Sequence, residues 1–78
     1  MELIINNFGV SLSRDNEGFV ISNADGRQRI PAAGISSIQI SRGAQITSDA
    51  VMLAVENEIE VLFNDRTGNP IARIWSPR

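Results

Sequence analysis

The sequence has no cysteine, no histidine and no lysine among its 78 residues. Without cysteine the chain can form neither a disulfide framework nor a thiolate metal site, which fits a reducing cytoplasm. Without histidine it lacks the commonest general base and the commonest metal ligand. A catalytic cysteine and a serine–histidine pair are therefore both excluded for this chain.

Long apolar runs are also missing. The longest, residues 50–55, is far shorter than the ~20 residues that a membrane-spanning helix needs. The first residues carry no basic segment and turn polar at once, so they do not form a signal peptide. We therefore expect one small cytoplasmic domain without membrane contact, which on folding buries only about 60% of the surface its unfolded chain exposes.

The formal net charge is -2, and all seven basic residues are arginine. A basic charge balance that would indicate nucleic acid is thus absent. Arginine nevertheless suits phosphate groups and aromatic faces better than lysine does, although a lineage bias would produce the same composition. The carboxylates have ordinary explanations: Asp49 stands where a helix begins, Asp65 lies in a turn, and Glu56, Glu58 and Glu60 need not share a face. The sequence thus predicts no catalytic residue and no metal ligand in this chain.

Alternation of apolar and polar residues predicts a mainly β fold with one helix. Turn signals such as Asp25-Gly26 separate the segments. The period changes after Arg42-Gly43, and Thr47-Ser48-Asp49 supplies N-cap oxygens and an early negative charge for a helix. We expect that helix to end at Asn57 in a left-handed conformation. We expect about seven short strands in a two-sheet, sandwich-like arrangement, with the helix between the fifth and sixth strands. The predicted strands cover residues 3–5, 8–13, 19–21, 27–30, 37–41, 59–63 and 71–75.

Several segments, taken in order, resemble the N-terminal β domain of the CRISPR-associated Cas-one (Cas1) endonuclease/integrase family, which acts in spacer acquisition. Asn7-Phe8-Gly9 resembles the family's opening, and Ile30-Pro31 is similar to its step between two strands. Residues 38–50 (IQISRGAQITSDA), 59–65 (IEVLFND) and 68–74 (GNPIARI) resemble the stretches that follow. The family often has glycine and proline at the end of the helix, where this chain has Asn57 and glutamates.

The resemblance implies that residues 1–75 form an N-terminal β-rich domain and that residues 76–78 begin a linker to a helical catalytic domain absent from this sequence. It implies a parent DNA endonuclease/integrase of antiviral defence, which inserts foreign spacers into the CRISPR array with a divalent metal, magnesium or manganese. The chain itself would hold no cofactor and would not be an enzyme. Implied partners are a second copy in a homodimer, the ends of duplex DNA and the small CRISPR adaptation protein.

The resemblance also gives the candidate DNA-binding residues. Phe8 occupies a position where the family can place an aromatic wedge against a terminal base pair; the alternative is that Phe8 packs in the core with Val10 and Leu12. Arg14, Arg27 and Arg42 stand at strand ends or hairpins, from which they could reach phosphates or simply be solvated.

Apolar surface left over around Phe19, Phe63 and Trp75 would support the homodimer. A second hypothesis, from a different class, is a free-standing β-rich protein-interaction module with no role in nucleic-acid binding.

Overall fold

A computed structural model describes residues 1–75 of the chain. The predicted linker, residues 76–78, lies outside the described residues. The elements, in chain order, are β1 (Glu2–Ile5), β2 (Ser11–Asp15), β3 (Gly18–Asn23), β4 (Gly26–Pro31), β5 (Ser37–Ser41), β6 (Gln45–Ile46), α1 (Ser48–Glu56), β7 (Glu60–Asn64) and β8 (Pro70–Ile74).

The strands form two four-stranded sheets. The first sheet has the order β1-β5-β7-β8, with parallel pairs up to β7 and an antiparallel β8 at its edge. The second sheet has the order β4-β3-β2-β6, an antiparallel meander to which β6 is added in parallel. The predicted fold class, mainly β with one helix and two sheets, is confirmed. One strand more is present than predicted, because the two-residue β6 was missed, and the helix consequently lies between the sixth and seventh strands.

The core lies between the two sheets. Alternation places Ile38 and Ile40 of β5 inward, while Ser37, Gln39 and Ser41 point to the other face. Helix α1 packs on β2 and on β7, and so contacts both sheets. The buried apolar cluster consists of Ile5, Val10, Leu12, Phe19, Ala32, Ile35, Ile38, Ile40, Ala50, Leu53, Ala54, Ile59 and Val61.

The ends of α1 show one prediction confirmed and one wrong. Thr47 is the N-cap, and its hydroxyl accepts the amide of Ala50 at 3.2 Å. At the other end Asn57 is not left-handed, since its φ is −102°; Glu58 takes the left-handed conformation instead, with φ 57°. The Asn57 side chain donates to the Leu53 carbonyl at 2.9 Å, and thereby satisfies one carbonyl that the last turn leaves open.

One buried polar side chain lies on the outer face of the first sheet. The Asn64 amide donates to Gln39 across β5 and β7 at 2.8 Å, and its own oxygen has no hydrogen-bond partner among the described residues. In the described part of the chain no helix is long and apolar enough to cross a membrane.

Candidate nucleic-acid interface

Three turns meet at one end of the molecule because of the parallel pairing in the first sheet. Strands β1, β5 and β7 run in the same direction as neighbours, so the turns that follow them, residues 6–9, 42–44 and 65–69, leave the same edge. The Gly9 amide donates to the Gly43 carbonyl at 3.1 Å and ties the first turn to the second. We call this region the turn cluster.

Phe8 stands at the turn cluster with 89% of its surface exposed. Its ring lies against Gly43, whose φ is 95°. A Cβ on Gly43 would come within 2.9 Å of Phe8 Cε2 and still closer to Cδ2, so a larger residue at position 43 would displace the ring. Glycine therefore supplies both the left-handed backbone and the space for the aromatic ring.

This geometry corrects part of the interpretation of Phe8. The second strand begins at Ser11 and not at Phe8, which lies in a turn. Val10 and Leu12 are buried, whereas Phe8 is exposed, so the alternative that Phe8 packs in the core with them is wrong. A contact between Phe8 and DNA stays a prediction.

A polar cavity of about 450 Å³ opens between the turns that follow β5 and β7, beside the end of β1. Arg42 and Arg66 both line it, and both are exposed. Neither arginine forms an ion pair within residues 1–75. The full lining is Asn6, Ser41, Arg42, Asp65, Arg66, Thr67 and Gly68.

Asp65 is the carboxylate of this lining, and its hydrogen bonds are used within its own turn. One carboxylate oxygen accepts the Thr67 hydroxyl at 2.7 Å, the Thr67 amide at 2.9 Å and the Asn69 amide at 3.0 Å. The Thr67 hydroxyl bond, followed by the backbone bond from Asn69, lowers the pKa of Asp65 below its ordinary value. Asp65 thus shapes the turn that carries Arg66.

The other two predicted arginines lie elsewhere. Arg14 pairs with Glu56 at 3.2 Å and also donates to the Asn16 carbonyl, at the end of β2 that points away from the turn cluster. Arg27 is opposite Ser22 in the β3–β4 hairpin, and Ser22 is opposite Ser11 at the start of β2. The register thus puts Arg27 at the same end as the turn cluster, on an outer strand. The structure brings Phe8 and Arg42 together; DNA contact by any of the four residues stays a prediction.

Arg66 was not among the residues predicted from the sequence. Nothing close to it in sequence marks it, since Asp65-Arg66-Thr67-Gly68 indicates only a turn. The signal that could have found it is the parallel pairing of β5 with β7, which was not predicted. Given that pairing, the residues that follow Ser41 and Asn64 must lie close together, because these two residues are register partners.

An apolar slot of about 390 Å³ lies next to the polar cavity, at the open end between the two sheets. Its apolar lining is Ile40, Ala44, Ile46, Phe63 and Ile71. It shares Ser41, Arg42 and Asp65 with the polar cavity. The turn cluster therefore has an apolar side and a cationic side.

Besides Ile4 on β1, the exposed apolar side chains of the first sheet lie on β8 and at Trp75, the residue that follows it. Ile71 is 70% exposed and Trp75 is 51% exposed. Arg73 lies over the Trp75 ring, 5.3 Å from its centroid, and pairs with Glu60 at 3.1 Å. The exposed apolar surface that was expected around Phe19 and Phe63 is not found, because Phe19 is buried and Phe63 is half-buried against the core.

No group of three or more acidic side chains that could hold a metal ion occurs within residues 1–75. The metal predicted for the parent protein stays a prediction, as does the absence of catalysis in this chain.

Comparison with known proteins gives one family. The sequence pattern of the family described as CRISPR associated protein Cas1 matches residues 3–78. The CRISPR-associated endonuclease Cas1 1 of Pyrobaculum aerophilum is 36% identical over 78 residues, a match that covers 99% of this chain and 26% of that protein. The chain thus spans about a quarter of the length of this relative.

Two solved structures have the same fold over almost the whole chain. A TtCas1–DNA complex matches with a TM-score of 0.81 and 23% identity, over 96% of this chain and 29% of that one. A Cas6-RT-Cas1–Cas2 complex matches with a TM-score of 0.87 and 19% identity, over 97% of this chain and 8% of that one.

Proposed function

This chain belongs to the CRISPR-associated Cas1 family, and from that premise we propose that it is the N-terminal dimerisation and DNA-end-bracing domain of a DNA endonuclease/integrase. The parent would act in the cytoplasm, at the adaptation stage of antiviral defence, and insert foreign spacers into the CRISPR array. The small adaptation protein would be its partner, a proposal supported by the likeness of this chain to part of a complex that contains Cas2.

The exposed Phe8 ring is the observation that carries DNA-end bracing. The side chain of Phe8 lies against Gly43 with 89% of the residue's surface exposed, so its ring offers a free face to a base. Stacking of a base on an aromatic ring contributes about 1–3 kcal/mol by alanine substitution. Phe8 would stack on the last base pair of a duplex and separate it from unpaired strands beyond.

Chemistry would belong to the rest of the parent protein. Integration by a divalent metal needs several oxygen or nitrogen ligands around one point, and the described residues offer no such group. Residues 1–75 therefore do not fit the metal that the family resemblance implies. The role of this chain would be to hold and orient the DNA.

The homodimer would use the β8 surface. Ile71 on the edge strand and Trp75 directly after it expose apolar area, and a small domain gains from burying such a patch against a second copy. Sedimentation of the 78-residue chain should show a dimer at high concentration. A monomer at every concentration would count against this part of the proposal.

The test of DNA-end bracing is Phe8→Ala in the full-length protein. We expect weaker binding to DNA with forked ends, and little change for fully paired duplex, as measured by fluorescence anisotropy. Met52→Ala is the matched control, because Met52 is exposed on α1 and lines neither cavity.

Equal losses of affinity for forked and paired ends would show that Phe8 does not distinguish them. No DNA binding at all by the wild-type full-length protein would favour the second hypothesis, an interaction module without a nucleic-acid role.

A further inference from the structure

We propose that the polar cavity of the turn cluster binds a single DNA phosphate, which Arg42 and Arg66 hold together beside the base stacked on Phe8. This inference rests on the proposed function and adds to it Arg66, which was not predicted from the sequence, and the chemical group that Arg42 and Arg66 share.

Within residues 1–75, Arg42 and Arg66 differ from three other arginines of the chain in having no ion pair. Arg14, Arg29 and Arg73 each form an ion pair with a carboxylate of the fold. Arg42 and Arg66, which line one cavity, form none within the described residues. In a chain whose net charge is negative, two guanidinium groups without an ion pair give this cavity a local excess of positive charge.

Asp65 accepts hydrogen bonds within its own turn and, in the part of the chain that the structure describes, forms no ion pair with either arginine. It is the one carboxylate among the described residues that line the cavity, and its hydrogen bonds go to Thr67 and Asn69 in its own turn. The lining thus carries two positive charges against one negative charge that is already hydrogen-bonded. A second anion from outside the chain would complete the site.

The register of the first sheet supports a shared ligand. Ser41 and Asn64 are register partners on adjacent parallel strands, and such strands lie about 4.8 Å apart. Arg42 follows Ser41 by one residue, and Arg66 follows Asn64 by two residues. The two guanidinium groups therefore start from neighbouring backbone positions and can approach one phosphate from two sides.

The neighbourhood of Phe8 identifies the kind of anion. The Phe8 ring lies against Gly43, the residue next to Arg42. A flat aromatic surface beside two cations matches a nucleotide, which joins a flat base to a phosphate. Arginine also suits the oxygens of phosphate, to which its planar fork can donate two parallel hydrogen bonds.

Salt dependence of DNA binding tests the proposal in the full-length protein. Each phosphate that a protein neutralises adds about 0.9 to the slope of log affinity against log salt. We would measure this slope for wild type, Arg42→Gln, Arg66→Gln and the double variant. Arg29→Gln is the control, since it removes the same charge from an exposed arginine outside the cavity.

Two arginines on one phosphate predict coupled effects. The double variant should lower the slope by about 0.9, so that between 50 and 200 mM salt its affinity falls about 3-fold less than that of wild type. Each single variant should lower the slope by less than the double variant does, because the arginine that remains still contacts the same phosphate. Arg29→Gln should leave it unchanged.

Two outcomes would overturn the proposal. A slope of the double variant that matches Arg29→Gln would mean that no phosphate binds there. A slope that falls by about 1.8 in the double variant would mean that the two arginines bind two separate phosphates rather than one shared phosphate. Thermal unfolding of each variant would check that these exposed substitutions leave the fold intact.

Duplexes with a 5′-phosphate or a 5′-hydroxyl identify the source of the phosphate. If the effects of the two arginine substitutions on the slope are non-additive only with the 5′-phosphate, the cavity binds the terminal phosphate. If they are non-additive with both duplexes, the cavity binds a phosphate of the internal backbone. Either result supports the site. The proposed end bracing can fail separately. If Phe8→Ala does not distinguish forked from paired ends while the arginines remain coupled, only the stacking role is lost.

Discussion

Replacing Gly43 by alanine should separate the stability of the domain from its recognition of DNA ends. Gly43 has a φ of 95°, a region that L-residues occupy at a cost of about 1–2 kcal/mol. An added Cβ would also collide with the Phe8 ring. Because that ring is exposed, moving it should cost little folding free energy, and the backbone should account for most of the loss in stability.

Gly34→Ala is the matched control for the backbone effect. Gly34 has a nearly equal φ of 89°, and a Cβ there would meet nothing within 4 Å. Both variants should lose about 1–2 kcal/mol of unfolding free energy in urea denaturation. A domain of this length is expected to have a total stability of roughly 4–12 kcal/mol, so both should remain folded.

Only Gly43→Ala should impair the binding of forked DNA ends. If the displaced ring loses its stacking contact, the cost is about 1–3 kcal/mol, or roughly 5- to 150-fold in affinity. Anisotropy titrations of the full-length variants with forked and paired DNA measure this directly. Equal forked-end affinities for Gly43→Ala and Gly34→Ala would refute the idea that Gly43 positions Phe8.

Three further predictions concern the helix cap, the acid response and catalysis. Thr47→Ala should lower the unfolding free energy by about 1 kcal/mol because it removes the N-cap oxygen of α1, while Ser48→Ala should change it little in the same urea titration. The pKa of Asp65 is lowered in the folded chain, so its stabilising effect should be complete above the unfolded pKa of about 3.9 and be lost as pH falls through the folded pKa. Asp65→Asn should remove that part of the acid dependence; an NMR titration that gives Asp65 an ordinary pKa would contradict it. The isolated chain should not cleave DNA with magnesium or manganese, and reproducible nuclease activity of the purified chain would contradict its residue inventory.

Local patterns predicted the fold class well because they depend on neighbouring residues. Alternation in 37–41 identified the inward positions Ile38 and Ile40, and the oxygen-bearing run Thr47-Ser48-Asp49 identified the start of α1, where Thr47 is the N-cap. The two-residue β6 was missed because so short a segment has no period. Glu58 was missed as the left-handed residue because asparagine is usually the more tolerant of the two in that conformation.

The candidate site was predicted only in part because it is built from distant segments. Phe8 and Arg42 were singled out one by one through a family resemblance, and their proximity follows from the Gly9–Gly43 hydrogen bond. Arg66 joins them through the parallel pairing of β5 with β7. Parallel pairing of this kind leaves no mark on the sequence between the strands, so periodicity could not reveal it.

The parallel pairing of β1 with β5 sets the order in which the molecule can be assembled during synthesis. Glu2 can pair with Ser37 only after Ser37 has been synthesised, 35 residues later. Strands β2, β3 and β4 are joined by short turns, so they can pair as soon as they are synthesised. Contacts between distant residues form late because a long loop must close first. The sheet that carries Phe8, Arg42 and Arg66 would therefore be completed last, and a chain interrupted before β7 could form a meander but not a DNA-binding end.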